Sequence, residues 1–266
     1  MDQTDIIRVV TGFPRLKEIG EESYEPRGIF NSEMALVLGL SRELKIDLFI
    51  ESGRARGQST YLLAKYLPDV EIHSFERKRN ADAAFAEQRL AGFSNLKLHY
   101  GNAHTTILPL IRAHPSRRLA LLLDGPKRRR AMELLAESIA ISAGMVLGFV
   151  HDTAALDHGR PSASRGFAEA YFPSMFFSDA PAYVAATSAL DGPVWAIDEK
   201  RSHWRPYVGD GGDAGSYGPT IGAVVVTDED RSGCVTRKRR GSLLTRVRWT
   251  LGRLGDRRAT RTPRAC

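Results

Sequence analysis

The sequence is poor in cysteine. Its two cysteines, Cys234 and Cys266, both stand near the C-terminal end, and the first 233 residues contain none. A disulfide framework or a thiolate metal site therefore cannot support the main body of the fold. This cysteine usage is typical of a protein from a reducing compartment.

Long apolar runs are also absent. The sequence has no run of roughly 18 apolar residues, the length that a membrane-spanning helix needs, and its first residues show no charged segment followed by an apolar one. Neither a membrane span nor a secretory signal is indicated, and we expect a cytoplasmic protein. The 266 residues, of which 42% are hydrophobic, suffice for one large α/β domain or two small ones.

Positive charge is concentrated at one end of the chain. Residues 231–266 contain twelve Lys and Arg residues and one acid, a net charge of +11, so residues 1–230 carry −4 of the total of +7. The high isoelectric point therefore describes a tail and does not indicate a basic face on the fold. We predict three parts: an N-terminal cap over 1–30, an α/β domain over 31–230 and a basic, flexible tail over 231–266.

The basic tail has three interpretations: a solubilising extension, a nucleic-acid arm, or an amphipathic segment on an anionic membrane surface. The third is favoured for 237–258, because apolar residues there fall on one helical face between arginines. Nucleic acid is less favoured, because the body is acidic and has no recognisable nucleic-acid-binding motif. The residues of the apolar face are Leu243, Val247, Leu251 and Leu254, with Trp249 nearby.

Short apolar segments alternate with helical patterns along residues 31–150. The segments show little polar alternation, as expected of parallel strands that are covered on both faces. We predict five strands at 46–50, 70–75, 96–100, 119–123 and 145–150, a helical, aromatic-rich stretch at 167–177, and further strands at 183–186 and 221–226. The pattern predicts an α/β fold: a Rossmann-like, doubly wound, mostly parallel seven-stranded sheet with helices on both faces.

Small residues alternate after the first strand. Glu51 is followed by Gly53, Ala55 and Gly57, and a helical pattern begins at once. Glycines let the backbone approach a ligand closely, and the first N–H groups of a helix point outward. The stretch therefore predicts a nucleotide-type cradle. The arginines Arg54 and Arg56 within it are also suited to bind an anion.

Polar residues follow every one of the five predicted strands. Glu76 ends the second strand, Asn102 and Ala103 follow the third, Asp124 follows the fourth, and His151 and Asp152 follow the fifth. In open α/β sheets ligands bind at this carboxyl edge, and an acid about 20 residues beyond a glycine turn is placed to bind a pair of ribose hydroxyls.

These strand ends together resemble the class I S-adenosylmethionine-dependent methyltransferases, over roughly residues 30–227. The resemblance implies that the small residues of the turn face the methionine part of the cofactor, Glu76 binds the ribose, and Asn102 with Ala103 borders the adenine. A NAD-type dehydrogenase is disfavoured, because the Gly-x-Gly-x-x-Gly spacing is absent. The candidate cofactor-binding residues are Glu51, Gly53, Ala55, Gly57, Ser59, Glu76, Asn102, Ala103 and Asp124.

The nearer likeness is to the metal-dependent catechol-type and sugar O-methyltransferases, which carry Asp-x-x-Lys after the fourth strand and an acid after the fifth. Here these residues are Asp124, Lys127 and Asp152, with the two acids 28 positions apart. Two carboxylates can hold Mg²⁺, which would lower the pKa of a substrate hydroxyl. We therefore name Asp124 and Asp152 as candidate metal ligands, and Lys127, His151 and Asp152 as candidate catalytic residues.

One departure bears on the metal. The group usually has Asn after the second acid, whereas this chain has Thr153. Without a metal, His151 becomes the better candidate base, because its ordinary pKa lies near neutrality. The sequence thus predicts methylation of a hydroxyl on a sugar, glycan precursor or small metabolite. The alternative is a non-catalytic Rossmann-like module that binds a phosphorylated or acidic ligand through Arg54 and Arg56.

Overall fold

A computed structural model describes residues 1–25, 28–157, 160–197 and 220–236. The helices are α1 (Gln3–Thr11), α2 (Leu16–Glu21), α3 (Asn31–Glu43), α4 (Gln58–Tyr66), α5 (Ala81–Leu90), α6 (Ala103–Ala113), α7 (Arg129–Ile141), α8 (Ala163–Tyr171), α9 (Pro181–Thr187), α10 (Gly192–Trp195) and α11 (228–236), with a 3₁₀ turn at Ser188–Asp191. The strands are β1 (Leu48–Ser52), β2 (Glu71–Glu76), β3 (Leu96–Tyr100), β4 (Leu119–Leu123), β5 (Met145–Val150), β6 (Leu156–Asp157), β7 (Arg160–Pro161), β8 (Phe176–Phe177) and β9 (Gly222–Val225).

Seven strands form one sheet in the order β3-β2-β1-β4-β5-β9-β8. The first five of these run parallel, whereas β9 pairs antiparallel with both β5 and β8. The predicted mostly parallel, seven-stranded α/β fold is confirmed. The strand order reverses between β1 and β4, and ligands bind at such a switch point in open α/β sheets.

The central strands are buried on both faces. Every residue of β1 and of β4 is buried, which explains the continuous apolar run of β4 and the apolar start of β1. Alternate residues separate into two cores: Phe49 and Leu122 pack with α3 on one face, whereas Ile50 and Leu121 pack with α6 and α7 on the other. Helix α3 is buried along residues 31–41, so it is enclosed by protein on its outer side too.

The N-terminal residues belong to this same core. Ile6, Val10 and Ile19, from α1 and α2, pack in one cluster with Met34 and Leu36 of α3. The α1 and α2 residues of the predicted N-terminal cap therefore share a core with α3.

One strand of the seven-stranded sheet lies at a different place in the sequence from the one predicted. The strand predicted at 183–186 is wrong, because these residues belong to α9, which begins with Pro181 at a position where proline favours a helix start. The edge strand is Phe176–Phe177, inside the stretch predicted as helical over 167–177. The preceding helix, Ala163–Tyr171, begins earlier than predicted, because the Ser162 side chain accepts a hydrogen bond from Arg165 N and caps it.

The first strand is shifted by two residues from the predicted 46–50. It spans Leu48–Ser52, because residues 48–52 pair with β2 and with β4 along their whole length. Glu51 therefore lies within the strand, one residue before its end.

The predicted start of the tail at 231 falls inside helix α11. Arg231 donates hydrogen bonds to the carbonyl oxygens of Ile139, Ser142 and Met145, and Cys234 is buried in the core. The folded part thus extends at least to residue 236. The amphipathic segment predicted at 237–258 lies outside the described residues. Within the described ranges, every helix is too short or too polar to cross a membrane.

Candidate functional site

The turn after β1 has left-handed backbone conformations at three alternate positions. The φ angles are 99° at Gly53, 45° at Ala55 and 82° at Gly57. A Cβ atom added to Gly53 would lie 2.4 Å from the backbone nitrogen of Gly125, so the turn presses directly against the loop after β4. The alternation of small residues found in the sequence therefore serves a tightly folded turn at the switch point of the sheet.

A buried carboxylate supports this turn from below. Glu51 accepts hydrogen bonds from the hydroxyls of Ser59 (2.5 Å), Ser74 (2.6 Å) and Thr60. Burial raises the pKa of Glu51, and these hydroxyls and Arg54 oppose that rise. Two predicted cofactor-binding residues, Glu51 and Ser59, thus bind each other beneath the turn.

A cleft of about 370 Å³ opens beside the turn, at the carboxyl ends of β1 to β4. Its acid is Glu76, whose Oε2 accepts a hydrogen bond from Ala55 N (2.9 Å) and whose Oε1 accepts one from Arg77 N (2.7 Å). A carboxylate has about four acceptor positions, so Glu76 can accept further hydrogen bonds from a ligand. Five predicted site residues line this cleft: Gly53, Glu76, Asn102, Ala103 and Lys127.

Sequence reasoning missed several residues that line the cleft. They are Phe75, Arg77, His104 and Arg130, with Gly101, Gly125 and Pro126. Their positions beside the strand ends were a usable signal, because each lies within a few residues of a predicted site residue. Asn102 also has a local role, since its side chain accepts a hydrogen bond from His104 N (3.0 Å) at the start of α6.

A second, small cavity of about 10 Å³ separates the turn from the N-terminal segment. Residues Glu25, Gly28 and Ile29 line one side, and the turn with Ser59 and Asp124 lines the other. Gln58 Oε1 accepts a hydrogen bond from Glu25 N (2.5 Å), which ties the segment to α4. The N-terminal residues therefore close over the turn while the neighbouring cleft stays open.

The two arginines of the turn contact other parts of the protein, and Nε and Nη2 of Arg54 are buried without a hydrogen-bond partner among the described residues. Arg54 is 1% exposed, donates from one terminal nitrogen to Ser74 O (2.7 Å) and lies 5.1 Å from the ring centre of Tyr100. Arg56 donates from Nε to Glu25 (2.5 Å) and forms an ion pair with Asp82. Both residues line the small cavity, and neither lines the large cleft.

Charged residues gather where β4 and β5 end. Lys127 Nζ contacts Asp124 Oδ1 and lies 2.6 Å from Asp152 Oδ2. His151 Nδ1 lies 2.9 Å from Asp124 Oδ1, and its Nε2 lies 3.5 Å from Glu33 Oε2. The structure thus brings together all three predicted catalytic residues and both predicted metal ligands.

These contacts fix the charge state of the cluster. Burial alone would lower the pKa of His151, but the attraction of Asp124 and Glu33 outweighs it, so this pKa lies well above its ordinary value. The pKa of Lys127 is likewise raised by Asp124 and Asp152 against the effect of burial. His151 and Lys127 lower the pKa values of Asp124 and Asp152, although burial opposes this. In this arrangement both candidate bases carry a proton.

Donor atoms for a metal ion are present, but a cation already lies among them. Ligand atoms of Asp124, His151 and Asp152 lie within 4.8 Å of one another. The ammonium of Lys127 bridges the two carboxylates, and the buried hydroxyl of Thr153 donates to Thr220 O (2.9 Å), away from the cluster. The residues therefore supply two carboxylates and one resident cation, an arrangement that does not fit a magnesium ion while the ammonium stays in place.

Glu33 is a member of the cluster that sequence reasoning missed. It lies in α3, which is not next to the end of a strand in the sequence, and it is 2% exposed. One signal was available, since Glu33 is the single charged residue in the otherwise uncharged stretch 30–41. A lone acid in a fully buried helix needs a partner, and His151 supplies it.

No protein-family model matches the sequence, and no curated protein matches it. Among solved structures, the chain is similar to the O-methyltransferase TomG from Streptomyces achromogenes, at 18% identity over 85% of this chain and 91% of that one, with a TM-score of 0.50. Another neighbour is an O-methyltransferase from Bacillus cereus, at 14% identity over 85% and 93% of the two chains, with a TM-score of 0.49. The likeness to TomG shows that this chain shares the fold of that O-methyltransferase, and the predicted resemblance is confirmed at the level of the fold.

Proposed function

We propose that the protein is an S-adenosylmethionine-dependent methyltransferase that acts on a hydroxyl group of a sugar, a glycan precursor or another small metabolite. The observation that carries the proposal is the position of Glu76. Its carboxylate lines the open cleft at the end of β2, directly beside the tight turn after β1. The structure of TomG was determined in complex with S-adenosylmethionine, which supports the same cofactor here.

The cleft fits the nucleoside part of this cofactor. Its volume of about 370 Å³ lies within the range of roughly 300–1,000 Å³ that small-molecule sites occupy. Glu76 would accept hydrogen bonds from the ribose hydroxyls, and Asn102 with Ala103 would border the adenine. The backbone of Gly53 and Ala55 would face the methionine part. When bound, the cofactor supplies an electrophilic methyl group on a sulfonium.

The charged cluster at the ends of β4 and β5 is suited to bind the substrate hydroxyl that accepts the methyl group. Lys127 lines the cleft and carries a proton, so its Nζ would donate a hydrogen bond to the substrate oxygen and hold it in place. The hydroxyl proton becomes strongly acidic as the oxygen takes the methyl group, so a carboxylate of low pKa suffices as its acceptor. Asp152, half exposed beside Lys127, is the group that we assign to this role. His151 would hold Asp124 in position.

Calorimetric titration with S-adenosylhomocysteine tests the proposal. The intact protein should bind one equivalent, and Glu76→Gln should weaken binding by about tenfold or more, since a hydrogen bond to a charged group is worth about 1.5–3 kcal/mol. Asp69→Asn is a matched control, because Asp69 is an exposed carboxylate in the turn before β2. A folded protein that binds no S-adenosylhomocysteine but binds a phosphosugar would overturn the proposal in favour of the non-catalytic module.

For the basic tail we propose contact with an anionic membrane surface through 237–258. Its support is the sequence pattern of leucines and arginines. Co-sedimentation with phosphatidylserine vesicles tests it, with a truncation after Thr236 as the comparison. This cut keeps Arg231, whose side chain caps carbonyl groups after α7. Equal pelleting of both proteins would reject the membrane contact.

A further inference from the structure

We infer that the ammonium group of Lys127 takes the position of a divalent cation between Asp124 and Asp152, so that this chain polarises its bound oxygen ligand with an internal cation and without a metal ion. The inference adds to the proposed function, but it concerns the cation position alone and can be tested without any methyl transfer.

The ammonium of Lys127 lies between the two carboxylates. Asp124 and Asp152 follow β4 and β5, which are hydrogen-bonded neighbours whose last residues, Leu123 and Val150, are paired. Lys127 reaches back from the loop before α7, so that Nζ contacts one oxygen of each carboxylate. A metal ion bound by these two carboxylates would need the same space. The metal ion and the ammonium group of Lys127 therefore cannot occupy this position together.

Charge acts in the same direction as geometry. The ammonium of Lys127 lies against both carboxylates and offsets part of their negative charge. A divalent ion that entered beside it would meet the repulsion of this ammonium and a weaker attraction from the carboxylates.

Left-handed backbone conformations occur on both sides of the ion pair. Asp152 has a φ angle of 59° and Arg128, next to Lys127, one of 56°, and such left-handed conformations are costly for residues other than glycine. Strained residues of this kind persist where the surrounding contacts hold them and cluster at functional sites. Of the two strained residues here, Asp152 belongs to the ion pair and Arg128 is the neighbour of Lys127 in the sequence. Thr153, the residue after Asp152, directs its hydroxyl to Thr220 O and supplies no third oxygen ligand.

The arrangement leaves Lys127 able to bind a ligand. An ammonium group has three donor hydrogens, and the two carboxylates take two of them. The third is available for an oxygen atom in the cleft that Lys127 lines. A hydroxyl, alkoxide or carbonyl oxygen is the kind of ligand that this donor would take.

Titration with MnCl₂, followed by the electron paramagnetic resonance signal of free Mn²⁺, tests the inference on the protein without substrate. Wild type should show no saturable binding below about 1 mM, the weak end of protein sites for hard divalent cations. Lys127→Met keeps the side-chain length and removes the charge, so it should bind Mn²⁺ at least about tenfold more tightly. Lys127→Arg keeps a cation and should behave as wild type. The double variant Lys127→Met with Asp152→Asn should lose the acquired binding.

Two results would overturn the inference. One is stoichiometric Mn²⁺ binding by wild type that disappears in Asp152→Asn. The other is a Lys127→Met variant that has a native circular dichroism spectrum and still binds no Mn²⁺. The wild-type titration gives an answer even if Lys127→Met does not fold. Neither measurement depends on S-adenosylhomocysteine, so failure here is distinguishable from failure of the proposed methyltransferase activity.

Discussion

Oε2 of Glu33 lies 3.5 Å from Nε2 of His151, and the two side chains are 2% and 8% exposed. Glu33 is held by a hydrogen bond from Phe30 N (2.9 Å), so α3 presents a fixed carboxylate to the end of β5. On its other side His151 faces Asp124. An imidazolium with a carboxylate on each ring nitrogen is a rigid support for Asp124, and through Asp124 for Lys127.

We predict that Glu33→Gln lowers the pKa of His151, because the amide removes one of the three carboxylates that lie beside the ring, those of Glu33, Asp124 and Asp152. The raised pKa of His151 contributes stability that is fully present below its unfolded value of about 6.5 and is lost as pH rises through the folded value. In the variant this alkaline loss of stability should move to lower pH. NMR titration of the His151 ring and urea unfolding at several pH values measure both effects.

The control for this variant is Glu43→Gln, an exposed carboxylate near the end of the same helix. It should leave the titration of His151 unchanged. An unchanged His151 midpoint in Glu33→Gln would mean that Asp124 and Asp152 hold the proton without Glu33.

Replacement of Glu51 distinguishes a role in supporting the turn from a role in binding the ligand. Glu51→Ala removes the carboxylate acceptor of three buried hydroxyls, those of Ser59, Thr60 and Ser74, of which Thr60 and Ser74 keep only the hydrogen bond to each other (3.1 Å). Unsatisfied buried polar groups cost about 1–3 kcal/mol each before relaxation, so we expect a loss of about 3 kcal/mol or more in the free energy of unfolding. Ser59→Ala removes one donor and should cost about 1 kcal/mol.

Urea unfolding and titration with S-adenosylhomocysteine, both at neutral pH, distinguish the two roles of Glu51. If Glu51→Ala keeps its stability and loses ligand binding, Glu51 contacts the cofactor as the sequence predicted. If stability falls and the folded fraction still binds, Glu51 acts through the turn.

The fold and the location of the site were predictable, because both follow from features that lie close together in the sequence. Apolar runs that end in polar residues identify parallel strands and their carboxyl edge, and this edge brought Asp124, Lys127, His151 and Asp152 together. The function of each residue was less predictable. Glu51 looks like the other strand-end acids in sequence, and only the pairing of β1 with both neighbours shows that its carboxylate is buried.

The features that could not be predicted depend on contacts between distant segments. Glu33 reaches His151 across more than a hundred residues of sequence, and no local pattern encodes that contact. Arg54 and Arg56 looked like anion ligands, but Glu25, Ser74 and Tyr100 engage them once the chain is folded. The strand wrongly predicted at 183–186 has a local origin, since so short an apolar stretch fits a helix as well as a strand.

Two glycines offer opposite predictions for the same substitution. Gly53→Ala should destabilise the protein by about 2 kcal/mol or more, because alanine disfavours the left-handed region by about 1–2 kcal/mol and its Cβ would lie 2.4 Å from Gly125 N. Gly166→Ala should stabilise it by about 0.5–1 kcal/mol, because Gly166 lies inside α8 with no atom within 4 Å of an added Cβ. Thermal unfolding of the two variants should therefore shift in opposite directions. A neutral Gly53→Ala would show that the turn can relax away from the loop after β4.

Glu71 should control stability in acid. Lys97 (2.5 Å), His73 (2.9 Å) and Arg117 (3.0 Å) contact its carboxylate, and these hydrogen bonds lower its pKa to about 2. Because the folded pKa is depressed, the stabilisation is present above the unfolded value of about 4.3 and is lost as pH falls toward 2. Glu71→Gln should therefore cost on the order of 2 kcal/mol at pH 7, an amount already reduced for the 26% exposure of the side chain. Its deficit relative to wild type should shrink below pH 4. Urea unfolding from pH 7 to pH 3, with Asp69→Asn as the exposed control, measures this difference, and a deficit that stays constant with pH would show that packing rather than charge holds Glu71 in place.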